Sequence, residues 1–123
     1  MSVLIDTNIF VDYLREDLRA IAFLNRLVEK PSTSIICVAE LFSGAASQRE
    51  ERKIRQFLAN VNVLTATPEI AERGGTLARV CRGSHNVGLA DALIAATAEH
   101  HGLPLATLNV KHFPMFKKLK AAY

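Results

Sequence analysis

The sequence contains no tryptophan, only two cysteines and few aromatic residues, and these shortages narrow the classes of protein to which it can belong. Aromatic residues make up 7% of the 123 residues while half are hydrophobic, so one domain with a mostly aliphatic core is expected over residues 1–123. Cys37 and Cys81 form no Cys-x-x-Cys pair. The sequence therefore favours two buried, reduced thiols in a cytosolic protein over a disulfide framework.

A long uncharged run is also missing. The longest one, residues 56–68, contains asparagines, threonines and a proline, whereas a membrane span needs roughly 18 or more apolar residues. Asp6 interrupts the stretch that would have to form the apolar part of a secretory signal. We therefore expect a soluble, cytoplasmic protein.

Positive charge exceeds negative charge only slightly. Fifteen Lys and Arg residues against twelve Asp and Glu residues give a net charge of +3, which is weak evidence for a polyanionic partner. The basic residues nevertheless form two clusters, either of which taken alone is better explained as a solvated helix face. The first cluster comprises Arg49, Arg52, Lys53 and Arg55, and the second comprises Lys111, Lys117, Lys118 and Lys120.

The stretch over residues 3–8 is the point around which the rest of the chain is organised. Three strand-forming apolar residues lead to Asp6, and a helical pattern begins at Ile9. We predict a buried strand that carries Asp6 to its C-terminal edge, where open α/β sheets bind ligands. Thr7 or Asn8 would then cap the following helix.

Strands and helices alternate along the remaining chain, with a loop predicted over residues 83–88. Further strands are predicted over residues 33–37, 61–65 and 105–107. Further helices are predicted over residues 17–30, 38–46, 48–59, 67–82, 89–101 and 111–120. In the helix over residues 17–30, the predicted buried side comprises Leu18, Ile21, Ala22, Leu24 and Val28. This alternation predicts an α/β fold, with a mostly parallel sheet of four to five strands covered by helices on both faces.

Three of the twelve acidic residues lie in apolar surroundings, unlike the other nine. These residues are Asp6, Glu40 and Asp91, and each falls at a strand end or near a helix start. Burying one carboxylate costs on the order of several kcal/mol unless a partner compensates for it. Taken singly, Asp6 could cap a helix, Asp91 could interact with a helix dipole, and Glu40 could pair with a buried arginine.

Taken together, the three acids are better explained by a metal ion. Converging carboxylates repel one another and raise one another's pKa, and a hard divalent cation removes that repulsion. Oxygen ligands favour Mg²⁺ or Mn²⁺ over zinc. The histidines predict no zinc site, because His100 and His101 are adjacent while His85 and His112 are isolated.

Four motifs resemble those of the PIN-domain ribonucleases, in order and spacing. They are Leu-Ile-Asp-Thr-Asn at the N-terminus, Val-Ala-Glu-Leu, Leu-Ala-Asp-Ala-Leu-Ile-Ala-Ala-Thr-Ala, and Leu-Ala-Thr-Leu-Asn-Val-Lys-His-Phe near the end. The resemblance covers essentially the whole chain. The size of the chain and its single-domain layout resemble those of the VapC-type toxins of bacterial and archaeal toxin–antitoxin pairs.

The resemblance implies which residues form the site. Asp6, Glu40 and Asp91 match the three acids of the family's metal site, and Asn109, preceded by Thr107, matches a fourth catalytic position. His112 stands where many relatives have an aspartate before phenylalanine, so the fourth acid is missing. Asn8 would support the site by hydrogen bonding.

The activity implied by the resemblance is Mg²⁺- or Mn²⁺-dependent endonucleolytic cleavage of RNA that leaves a 5′-phosphate and a 3′-hydroxyl. The basic clusters would hold the RNA backbone. The implied partners are an antitoxin and a second copy of the chain, and the helices over residues 9–14 and 38–46 are candidate antitoxin-docking surfaces.

Two other functions remain open at this stage. A PIN-like module that binds RNA or a protein without cutting would explain the missing fourth acid. A phosphotransferase or phosphatase could use Asp6 as a nucleophile at a strand end, but haloacid-dehalogenase-like enzymes need a second aspartate where this chain has Asn8.

Overall fold

A four-stranded parallel sheet forms the centre of the fold. The computed structural model describes residues 2–82 and 87–123. The strands are β1 (Leu4–Ile5), β2 (Ser32–Ser34), β3 (Asn62–Leu64) and β4 (Leu105–Ala106), in the order β3-β2-β1-β4. Every pairing is parallel, which confirms the predicted α/β sheet. Because β1 is central, the residue that follows it lies at the middle of the sheet's carboxyl edge.

Six helices in the part of the chain that the structure describes cover the two faces of the sheet. They are α1 (Thr7–Leu14), α2 (Leu18–Asn25), α3 (Ile35–Ser43), α4 (Gln48–Leu58), α5 (Pro68–Cys81) and α6 (Leu89–His101). Leu4 belongs to a buried cluster that includes residues of α5 and α6, whereas Ile5 belongs to a second cluster with residues of α1 and α4. Neighbouring strand residues point to opposite faces, so a core lies on each side of the sheet. No helix in the described ranges is long and apolar enough to cross a membrane.

Several predicted helix ends are confirmed by their capping contacts. Ser47 Oγ accepts a hydrogen bond from the Glu50 N–H at 3.2 Å, and Thr67 Oγ1 accepts one from the Ile70 N–H at 3.3 Å. Gly102 ends α6 with a φ of 62°, a left-handed conformation that glycine adopts without steric cost.

The helix after β2 begins earlier than predicted. Residues 35–37 were expected to extend the strand, but they form the first turn of α3. Ser34 is the N-cap, and its Oγ accepts a hydrogen bond from the Ile36 N–H at 3.0 Å. The β-branched pair Ile35-Ile36 favoured a strand locally, and this serine cap together with helix packing overrides that preference.

The first two helices also differ from the prediction. Asp6, and not Thr7 or Asn8, is the N-cap of α1. The second helix stops at Asn25, well before Lys30, and three residues predicted on its buried side are exposed: Leu18 by 80%, Val28 by 99%, and Ala22. Val28 lies beyond the end of α2, so helical periodicity does not apply to it. Leu18 and Ala22 lie within the helix, but its buried residue is Ala20, which was not on the predicted face.

The predicted helix over residues 111–120 is not formed. A short 3₁₀ turn, Val110–His112, is followed by turns, and Pro114 supplies no backbone N–H for a continuous helix. Phe113 is fully buried and fixes this segment to the core. The loop predicted over residues 83–88 lies mostly outside the described residues, because residues 83–86 are not among them.

Candidate metal centre

Asp6 lies at the carboxyl end of β1 and is 5% exposed. Its Oδ1 accepts a hydrogen bond from the Thr7 N–H at 2.8 Å. Its Oδ2 accepts one from Thr107 Oγ1 at 2.8 Å and one from Asn8 Nδ2 at 3.3 Å. The expected support from Asn8 is therefore present, and donors from both β1–α1 and the end of β4 fix the carboxylate.

The surroundings of Asp6 favour the neutral form of its carboxyl group. Burial raises the pKa of Asp6 above its ordinary value, and the negative charges of Asp91 and Glu40 raise it further, while the hydrogen bonds from Thr107 and Thr7 lower it. The carboxyl group of Asp6 is therefore shielded from water and close to two other acids, which is a condition that a cation would relieve.

Glu40 reaches the same edge from α3. Its Oε1 accepts a hydrogen bond from Thr7 Oγ1 at 2.6 Å, so Thr7 links the first two acids. Glu40 is exposed, although its sequence neighbours are apolar. Ligand atoms of Asp6, Glu40 and Cys37 all lie within 4.8 Å of one another.

Cys37 is next to these carboxylates, but its chemistry does not suit a hard cation. The residue is fully buried, and its Sγ donates to the Ile5 carbonyl oxygen at 3.8 Å. Burial raises the pKa of the Cys37 thiol to about 11, so the thiol is protonated at neutral pH. Only the thiolate binds metals well, and the carboxylate oxygens are therefore the suitable donors.

Asp91 lies in the first turn of α6, and its side chain is 25% exposed. It is not part of the group within 4.8 Å, but its charge raises the pKa of Asp6. The pKa of Asp91 is itself raised, mainly by burial and also by the charge of Glu40, while His112 lowers it. His112 Nδ1 lies 3.2 Å from Asp91 Oδ2.

The fourth predicted site residue, Asn109, is exposed just beyond β4. Its backbone N–H donates to Thr107 Oγ1 at 3.0 Å, so its main chain is tied to the hydroxyl that holds Asp6. Three groups that contact the predicted acids could not be predicted from the acidic residues alone. They are the hydroxyls of Thr7 and Thr107 and the imidazole of His112. The Thr-x-Asn pattern was the signal for Thr107, and nothing in the sequence pointed to the contact between His112 and Asp91.

A groove of about 250 Å³ runs between α1, α3 and α4 beside the site. Its apolar part includes Val11, Leu14 and Leu41, and Glu40 and Lys53 also line it. Both helical segments named as docking candidates contribute to it. The basic residues of the two clusters are exposed, and the Arg55 guanidinium lies 3.8 Å from the Glu51 carboxylate.

Comparison with known proteins gives one consistent picture. The PIN domain model matches residues 3–119. Ribonuclease VapC10 of Mycobacterium tuberculosis is 41% identical, over 98% of this chain and 92% of its own length. Ribonuclease VapC19 of the same organism is 40% identical, over 98% of each chain. A toxin–antitoxin complex from Klebsiella pneumoniae contains a chain with 31% identity and a TM-score of 0.86, covering 99% of this chain and 98% of that one.

Proposed function

The chain belongs to the PIN-domain family, and we propose that it is a Mg²⁺- or Mn²⁺-dependent endoribonuclease and the toxin of a toxin–antitoxin pair. Relatives 40–41% identical over nearly the whole chain are named ribonucleases. The observation that carries the proposal is the meeting of Asp6 and Glu40 at the carboxyl edge of the sheet, close enough to Asp91 that the charge of Asp91 raises the pKa of Asp6.

Asp6, Glu40 and Asp91 are the proposed metal ligands. All three offer carboxylate oxygens, the donors that Mg²⁺ and Mn²⁺ prefer. The raised pKa values of Asp6 and Asp91 support this assignment, because they indicate negative charge that a cation would stabilise. When bound, the cation supplies Lewis-acid charge beside the phosphate and increases the acidity of a water.

The side chains then have separate tasks. Asp6, held by Thr7, Asn8 and Thr107, keeps one carboxylate in a fixed orientation. Glu40 or Asp91, which are less buried, can accept the proton of the attacking water. When water attacks phosphorus, the bond to the 3′-oxygen breaks and that oxygen takes up a proton, so the products carry a 5′-phosphate and a 3′-hydroxyl. Asn109 is proposed as the fourth catalytic residue, contributing a polar amide without charge.

The exposed basic residues are proposed to hold the RNA backbone. Lys53 lines the groove that also contains Glu40, so a cation of the first cluster lies on the approach to the acidic site. Neutralising phosphates with lysine and arginine makes binding dependent on salt. We expect RNA affinity to fall as the salt concentration rises.

An antitoxin and a second copy of the chain are the proposed protein partners. The Klebsiella pneumoniae neighbour was solved as a toxin–antitoxin complex, and the groove between α1, α3 and α4 offers apolar residues next to Glu40. An antitoxin segment in this groove would cover the acidic site. The test is co-purification of the cognate antitoxin with Val11→Ala and Leu14→Ala variants, and undiminished binding would reject this groove.

The decisive experiment is RNA cleavage by the purified protein with Mn²⁺, with Mg²⁺ and with EDTA. We expect cleavage only with metal, 5′-phosphate ends on the products, and a loss of roughly 100-fold or more in Asp6→Asn and Asp91→Asn. Asp17→Asn is the matched control, because Asp17 is an acid that pairs with Arg19 at 3.0 Å outside the site. A wild type that binds RNA without cutting it under any condition would reject the nuclease and leave a binding module.

We also propose that residues 1–123 form a single domain. Both buried clusters draw residues from widely separated parts of the chain, and the second includes Val3 and Tyr123. Limited proteolysis is expected to leave no stable smaller fragment.

A further inference from the structure

His112 contacts one of the three acids of the site, but it has no role in the proposed reaction. Its Nδ1 lies 3.2 Å from Asp91 Oδ2. An ionised carboxylate has no proton to donate, so the imidazole N–H is the donor in this contact. In the described part of the chain, His112 is the side chain that donates to Asp91, whereas Asp6 receives three donors.

The backbone around His112 is fixed although its side chain is 54% exposed. The His112 N–H donates to the Asn109 carbonyl at 2.9 Å, and the Phe113 N–H donates to the Val110 carbonyl at 3.0 Å. Phe113 is fully buried in the same core cluster as residues of α6. The segment that carries the imidazole is therefore anchored against the helix that carries Asp91.

We infer that His112 is a positioning residue that holds Asp91 in the orientation needed for metal binding. The inference rests on the proposed function, since it assigns Asp91 as a ligand. Metal-ligating carboxylates are commonly hydrogen bonded by outer groups, and losing such a group typically costs 10–100-fold in metal affinity or activity. The imidazole contacts Oδ2 of Asp91 and so restricts the orientation of that carboxylate. His112 thus supports an existing ligand instead of adding one.

The test measures Mn²⁺ binding to the RNA-free protein by the electron paramagnetic resonance signal of free Mn²⁺. His112→Ala is expected to raise the Kd for Mn²⁺ roughly 10-fold or more. His112→Asn, whose amide N–H lies near the position of Nδ1, is expected to restore most of the affinity. His112→Gln, whose amide lies nearer the position of Nε2, is expected to resemble the alanine variant. His101→Ala is the control, because His101 is exposed at the opposite end of α6.

A double-mutant cycle separates positioning from a general effect on the fold. In an Asp91→Asn background, His112→Ala should cause no further loss of Mn²⁺ affinity, and thermal unfolding should show that the variants remain folded. An unchanged Kd in His112→Ala, or equal losses in the asparagine and glutamine variants, would overturn the inference.

RNA cleavage measured on the same samples distinguishes this inference from the proposed function. If the wild type cleaves RNA while His112→Ala binds Mn²⁺ normally, the nuclease stands and the positioning role is rejected. If Mn²⁺ binding depends on both Asp91 and His112 but no RNA is cut, the positioning role stands and the nuclease is rejected. A wild type that binds no Mn²⁺ rejects both.

Discussion

The carboxyl end of the sheet and the contact between α5 and α6 are both buried, but they differ in what is buried. Hydrogen-bonded polar side chains lie at the first, and closely packed small and apolar residues lie at the second. At the sheet end, Asp6, Thr33 and Thr107 are each no more than 5% exposed, and each is hydrogen bonded. Between α5 and α6, small residues bring the backbones close together, and the Gly74 backbone packs directly against Leu93.

This difference shows where stability and function are located in the molecule. Burying a carboxylate costs free energy that three hydrogen bonds offset only in part, since the pKa of Asp6 remains raised. The helix pair buries apolar surface with no such cost. The metal-free protein therefore keeps an unfavourable buried carboxylate at the site. Apolar packing elsewhere in the fold offsets the free energy that this burial costs.

The largest expected effect comes from breaking the close helix contact. A Cβ at Gly74 would lie 2.6 Å from Leu93 Cδ2 and 3.2 Å from Leu93 Cα. The second of these atoms is backbone, so a rotamer change alone cannot make room. We expect Gly74→Ala to lower the free energy of unfolding by about 1–3 kcal/mol, as measured by urea denaturation.

Gly75→Ala is the matched control for that substitution. A Cβ at Gly75 meets no heavy atom within 4 Å in the described structure, and alanine favours a helix interior over glycine by up to about 1 kcal/mol. The control should therefore be stabilised. Equal behaviour of the two variants would show that α5 and α6 are not in close contact.

An intermediate effect is expected from removing the Thr107 hydroxyl, which links the end of β4 to Asp6 at the end of β1. Thr107→Val keeps the shape of the side chain but deletes the 2.8 Å hydrogen bond to Asp6. We expect Mn²⁺ affinity to fall about 10-fold, as measured by titration calorimetry. Thr97→Val is the control, because the buried Thr97 hydroxyl donates to the Leu93 carbonyl within α6. Comparable Mn²⁺ affinities in the two variants would contradict a specific role for Thr107.

The sequence was sufficient to predict which residues lie at the carboxyl edge of the sheet, because the strand patterns before that edge are strong. Strand residues that lead to Asp6 placed that acid correctly at the end of β1, and β4 was predicted within one residue. The roles of Asp6, Glu40, Asp91 and Asn109 in binding and catalysis stay predictions. What the sequence could not show was the contact between His112 and Asp91, because the two residues are distant in the chain and the motif around each of them gives no information about the other.

The errors in the fold arose where one local signal competed with another. Residues 35–37 have β-branched and apolar side chains, yet Ser34 caps a helix there. Lysine-rich residues 111–120 suggested a helix, but Phe113 and Pro114 commit this segment to core contacts and turns. The serine cap is a local contact that competes with strand propensity, whereas the burial of Phe113 depends on tertiary packing, which periodicity does not reveal.

The smallest expected effect concerns the stability of the metal-free protein. Because the pKa of Asp6 is raised in the folded state, its favourable contribution is fully present below its unfolded pKa and is lost as pH rises through the folded pKa. Ionised Asp6 is thus destabilising at neutral pH. We expect Asp6→Asn to be more stable than the wild type at pH 7, with the difference shrinking towards pH 4.

Asp17→Asn should show the opposite sign and so sharpens the contrast between the two acids. Hydrogen bonds from Arg19 lower the pKa of the exposed Asp17 carboxyl, so its contribution is present above its unfolded pKa and is lost as pH falls. Thermal melts with and without Mn²⁺ complete the test, since a ligand bound only by the folded state raises Tm. Mn²⁺ should stabilise the wild type and Asp17→Asn but not Asp6→Asn. If Asp6→Asn were less stable than the wild type at pH 7 without metal, the buried carboxylate would be part of what holds the fold together.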